Sequence, residues 1–122
     1  MLQNLHVKNL ALIDEIEVEF KEGLNILTGE TGAGKSIILG SVNLALGGRF
    51  TKDIIREGAQ YGLVELSFMV GEKEQKLLEA MDIYPEEGII TLSRRLMAGR
   101  SISRINGETV TMAVLKNVAT IL

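Results

Sequence analysis

The chain has 122 residues, 46% hydrophobic and 24% charged, which suits one domain with a true core and excludes a disordered segment. It has no cysteine, so disulfide frameworks and thiolate metal sites are excluded and a reducing cytoplasm is the expected compartment. The net charge of −3 gives no global footprint for nucleic acid, no apolar run approaches the ~18 residues of a membrane span, and Met1-Leu2-Gln3-Asn4 lacks the basic start of a signal peptide.

Residues 2–8 alternate, with Leu5 and Val7 apolar, and Asp14 to Phe20 alternates strictly; both predict strands. In the second, Ile16, Val18 and Phe20 are expected inward and Glu15, Glu17 and Glu19 outward. His6 has no metal-ligand spacing around it and reads as an ordinary strand residue. Leu24 to Thr28 suits a central strand covered on both faces. It leads into a glycine-rich loop, and Ser36 to Leu46 then predicts a buried helix stopped by Gly47-Gly48.

Residues 49–60 read as a polar connection, and Leu63 to Val70 as a strand with Val64, Leu66 and Phe68 on one side. Glu72 to Met81 predicts a short amphipathic helix burying Leu77, Leu78 and Met81, followed by an acidic turn at Pro85. Ile89 to Met97 and Ser101 to Ile105 flank Ala98-Gly99-Arg100 as a hairpin, Asn106-Gly107 is a second tight turn, and Thr111 to Leu122 predicts a helix. The methionines at 69, 81, 97 and 112 are expected to fill the core. The expected class is α/β: a mixed sheet with a loop-bearing strand and helix, plus antiparallel strands, in one domain over residues 1–122.

The chemistry is carried by Gly29-Glu30-Thr31-Gly32-Ala33-Gly34-Lys35-Ser36, which fits the G-x-x-x-x-G-K-[ST] pattern. Glycines at 29, 32 and 34 let successive amides converge on one point, and a helix start behind them adds its positive end. Lys35 is expected to reach the β- and γ-phosphates, and the Ser36 hydroxyl to ligate Mg²⁺ on the same oxygens. ATP and Mg²⁺ are therefore the expected ligands.

The wording around this loop, Leu5 to Ile13 and Phe20 to Thr28, resembles the ATPase heads of the SMC-like, ABC-type P-loop family. The loop itself, Leu46-Gly47-Gly48-Arg49, Arg94-Arg95 and Gly99 to Gly107 resemble the RecN family of bacterial DNA repair proteins within it. The resemblance implies the N-terminal lobe of a head that works with a C-terminal lobe, binds ATP and sandwiches two nucleotides between two heads of a homodimer. It also implies action on DNA in double-strand break repair and recombination, hence a cytoplasmic protein at the nucleoid. From the family, Lys8 and Asn9 are expected beside the nucleotide, and Arg56 at the nucleotide or DNA.

The glutamine loop, the Leu-Ser-Gly-Gly type signature, the Walker B strand, the switch histidine and the coiled coil of such heads are not found in these residues. Leu92-Ser93 runs into Arg94-Arg95, and Asp82 follows a helical run. A phosphate cradle alone does not orient an attacking water, so the expectation is an incomplete, N-terminal lobe without catalytic residues of its own. Two alternatives stay open: another P-loop enzyme such as a small kinase or helicase fragment, or a non-catalytic interaction module. Arg94, Arg95, Arg100 and Arg104 predict a basic hairpin edge, read either as a contact to DNA phosphates or a second head, or as a solvated edge guarded by charge. Aromatic residues at 4% do not supply a base-stacking platform.

Overall fold

The computed structural model describes residues 2–10, 13–20, 40–50 and 52–122. The expected strand at 24–28, the glycine-rich loop at 29–36 and the start of the following helix lie outside the described residues. The described strands are β1 (Leu2–Leu10), β2 (Ile13–Glu19), β3 (Gly62–Met69), β4 (Ile89–Met97), β5 (Arg100–Ile105) and β6 (Glu108–Val110). The described helices are α1, described over 40–45, α2 (Glu72–Glu79) and α3 (Met112–Ile121), with a described 3₁₀ turn at Lys52–Ile54.

The six strands form one sheet in the order β2-β1-β3-β4-β5-β6, and every described pairing is antiparallel. Register explains its two faces, because residues directly opposite one another share a face. Val18, Leu5, Leu66, Leu92 and Ile105 form one transverse row, all of them buried. On the other face Glu17, His6, Glu65, Ser93, Arg104 and Thr109 form a polar row of half-buried and exposed side chains. The helices join the apolar side of the molecule: Leu44 and Ala45 from α1, Leu78 from α2, and Leu115 and Val118 from α3 belong to the same core as the buried strand residues. Thr111 caps α3, its Oγ1 accepting from the Val114 amide at 3.2 Å, which satisfies one of the free N–H groups of the first turn.

The expected α/β class, the strand at 63–70 and both tight turns are present. Ala98-Gly99 closes β4 onto β5, and Asn106 (φ 50°) with Gly107 (φ 85°) makes a two-residue turn with positive φ at both positions. That turn requires a returning strand, and β6 is that strand, which the sequence reading passes over.

Four expectations are corrected. Ile16 is 37% exposed although it faces the core side, because among the described residues β2 is an edge strand with one neighbour, β1. Leu77 is 48% exposed; consecutive residues on a helix of 3.6 residues per turn point about 100° apart, and Leu78 takes the core position. Met69 is half exposed, because it is out of phase with Val64, Leu66 and Phe68. The arginine hairpin is not an edge, since β4 and β5 are both flanked on two sides.

Candidate nucleotide-binding site

Residues 29–36 lie outside the described residues, so the site is approached from its described flanks. α1 is the helix next to the loop in sequence, with Ser36 four residues before its first described residue, Gly40. Ser41, Leu44 and Ala45 are buried. The helix ends where Gly47 takes φ 110°, with its amide bonded to the Leu44 carbonyl at 3.1 Å and the Gly48 amide to the Asn43 carbonyl at 2.9 Å. A Cβ on Gly48 would meet the Asn43 carbonyl at 2.9 Å, so the turn is too tight for any side chain there.

Of the residues carried over by resemblance, Asn9 and Arg56 are brought together. Asn9 (φ 55°) breaks the line of β1, the Arg56 amide donates to its carbonyl at 2.9 Å, and Leu10 bridges Ile55. Arg56 is exposed, and Lys8 is half-buried, opposite Glu15 on β2 and Leu63 on β3.

The arginine cluster divides between the faces of the sheet. Arg94 lies in phase with Leu92 and Leu96, and is 3% exposed. Its Nη1 donates to the Leu44 carbonyl at 2.7 Å and the Gly48 carbonyl at 2.6 Å, and its Nη2 to Ser101 Oγ at 3.2 Å. Its guanidinium also lies 5.5 Å from the Phe50 ring centre. Burial pushes its pKa below the usual arginine range, and arginine's high intrinsic value leaves the group charged. Arg95 is on the opposite face, 3.9 Å above the Tyr61 ring, with Arg100 and Arg104 exposed. The expectation of four arginines on one basic edge is therefore corrected to three outward arginines and one buried clamp.

His6 is more than an ordinary strand residue. Its Nε2 lies 2.7 Å from Glu15 Oε2 and its Nδ1 2.9 Å from Glu65 Oε1, so the ring bridges three strands. Two carboxylates each need an N–H, which only the protonated ring supplies at both nitrogens. The hydrogen bonds to Glu65 and Glu15 accordingly raise the His6 pKa above 6.5, and that to His6 lowers the Glu15 pKa. The stabilisation from His6 is complete below about pH 6.5 and is lost as pH rises through the raised folded-state value. Thermal melts of wild type and His6→Gln should therefore differ most below about pH 6.5 and converge as pH rises through the raised His6 value. A gap that widens with rising pH contradicts the bridge.

A family model described as an AAA domain matches residues 4–118. The chain belongs to the AAA domain family. As an AAA domain chain it is 41% identical over 119 residues to the DNA repair protein RecN of Rickettsia prowazekii, covering 98% of this chain and 22% of that protein. It is 40% identical over 121 residues to RecN of Halalkalibacterium halodurans, covering 97% of this chain and 21% of the relative. The chain thus spans about a fifth of the length of the curated relatives it matches. A solved structure from work on ATP-driven dimerization and DNA-stimulated activation of SMC ATPases superposes with a TM-score of 0.80 at 22% identity, over 98% of this chain and 78% of that one. The likeness places this AAA domain chain in the fold of SMC ATPase heads, as its resemblance to the RecN family implied. Among the described residues no helix is long and apolar enough to cross a membrane.

Proposed function

We propose that residues 1–122 form the N-terminal, nucleotide-binding lobe of an SMC-like ATPase head in a RecN-like protein of double-strand break repair and recombination. The observation that carries this reading is a complete phosphate-loop pattern directly ahead of α1, in a chain whose folded sheet has the form of SMC heads. Gly29, Glu30, Thr31, Gly32, Ala33 and Gly34 supply converging amides, and Lys35 a point charge for the β- and γ-phosphates. The donor set fits Mg²⁺, because the Ser36 hydroxyl is a hard oxygen ligand and leaves room for water and phosphate oxygens. Mg²⁺, when bound, neutralises charge on the phosphate oxygens. Asn9 and Arg56, joined at the end of β1, and Lys8 beside them flank the nucleotide.

Orientation of the attacking water and the remaining transition-state contacts come from the C-terminal lobe and from the second head of a homodimer, with DNA as the partner of the intact protein. The site is cytoplasmic, at the nucleoid during repair. A cradle built for phosphates predicts how ligands rank in calorimetric titration of the intact protein. ATP with Mg²⁺ and ADP with Mg²⁺ should both bind, EDTA should weaken them at least ~10-fold, and adenosine should give no heat. Adenosine binding as tightly as ATP would contradict the cradle and favour a base-recognition site.

A further inference from the structure

We propose that Arg94 is a positioning residue for the nucleotide site: it ties the C-terminal end of α1 to the β4–β5 hairpin, so the hairpin sets the placement of the helix that follows the phosphate loop. The inference rests on the reading of residues 29–36 as that loop. Arg94 is a charged group in the core row that also holds Val64 and Ser103, between Leu92 and Leu96 on its own strand. Among the described residues no carboxylate pairs with it. Its Nε is buried, and among the described residues it has no acceptor. A buried charge arranged in this way is unfavourable as packing, and an apolar side chain of similar volume would avoid the desolvation.

The guanidinium supplies direction instead. Its charge faces the carbonyls of Leu44 and Gly48, at the negative end of α1 and its terminating turn, where a cation is favoured. Its second terminal nitrogen reaches Ser101 on β5. One planar fork therefore holds a helix end and a strand in a fixed relation, which an ammonium group on a flexible stem does not reproduce. α1 is closed in from another side as well, since a Cβ on Gly47 would meet Lys116 Cγ of α3 at 2.9 Å. Lys35 precedes Leu44 by nine residues in the sequence, the distance over which the proposed positioning would act.

The test measures, in the intact protein, the affinity for ATP with Mg²⁺ and the rise in Tm that saturating nucleotide produces, for Arg94→Met, Arg94→Lys, Ser101→Ala and the control Lys35→Ala. Ser101→Ala removes only the guanidinium's hydrogen bond to β5, leaving Arg94 on β4 and its bonds to the α1 end in place, and its nucleotide-free Tm should stay close to wild type. A positioning role predicts affinity reduced roughly three- to thirtyfold in Arg94→Met, with smaller losses in the same direction in Ser101→Ala and Arg94→Lys. A fall in nucleotide-free Tm with unchanged affinity in all three overturns the proposal and leaves Arg94 a packing residue. Should Arg94→Met fail to fold, Ser101→Ala and Arg94→Lys decide by the same criterion. Lys35→Ala binding as wild type would overturn the loop reading itself, and the positioning role with it; loss in Lys35→Ala alone overturns only the role of Arg94.

Discussion

Replacing Lys35 by alanine is expected to lower ATP turnover by the intact protein ~10²-fold or more, the scale of losing one preorganised charge-stabilising donor from a water-poor site. The physical reason lies in the division of labour along the motif. On the proposed reading, backbone amides at 29–34 would hold the phosphate chain in any charge state, while the Lys35 ammonium group would meet the charge shared by the β- and γ-oxygens as the terminal bond breaks. Alanine leaves the amides in place, so ADP binding should suffer less than turnover. Steady-state hydrolysis and ADP titration on the same preparation check both halves of this. Unaltered hydrolysis in Lys35→Ala would remove the loop from the active site.

The second large effect is on stability. Leu92 is fully buried on the inner strand β4, within the transverse row, opposite Leu66 on one side and Ile105 on the other. Leu92→Ala empties the middle of a rigid sheet whose neighbours are held by ladder hydrogen bonds and cannot collapse into the gap. A cost of about 2–5 kcal/mol is expected, at the upper end for a site that relaxes little. Against the ~5–15 kcal/mol that stabilises a typical domain, this is a large fraction, and it should appear as a lower urea midpoint at unchanged slope. Leu77→Ala, by contrast, removes a side chain that is already 48% exposed and should shift the midpoint little. Equal effects from the two leucines would place the core elsewhere.

What the sequence made legible follows from how local each signal is. The alternation of Val64, Leu66 and Phe68 defines β3 because a strand presents every second residue to one face, and the structure buries all three. Asn106-Gly107 announces a tight turn from two residues alone, since both must take positive φ. β6 is only three residues long and carries no alternation, so the turn was the sole signal for it.

Register and depth are not local, and the misses fall there. Ile16 has the right phase but sits at an edge, which periodicity does not encode. His6 meets Glu15 and Glu65 only because β1 lies between β2 and β3, an order that a linear pattern does not contain. Arg94 is the instructive case. Adjacent residues on a strand point to opposite faces, so Arg94 and Arg95 could not both lie on one basic surface, and the phase of Leu92 and Leu96 assigned Arg94 to the core. Charge counted along the chain concealed what period two would have shown. Of the candidate site, the G-x-x-x-x-G-K-[ST] pattern at 29–36 is a reading of the sequence that lies outside the described residues, and the flanking pair Asn9 and Arg56 was reached only through family resemblance. The backbone link between those two emerges from the fold.

Residues 29–36 are proposed to hold a polyphosphate ahead of the helix that ends at Gly47. Amide hydrogen exchange of the intact protein, with and without ATP and Mg²⁺, tests this most directly. The account predicts slowed exchange concentrated in residues 29–40, at amides that become donors to phosphate oxygens, with the polar sheet row around His6 and Glu65 unchanged. Slowed exchange confined to the sheet or to α2, with residues 29–40 unaltered by nucleotide, would contradict it.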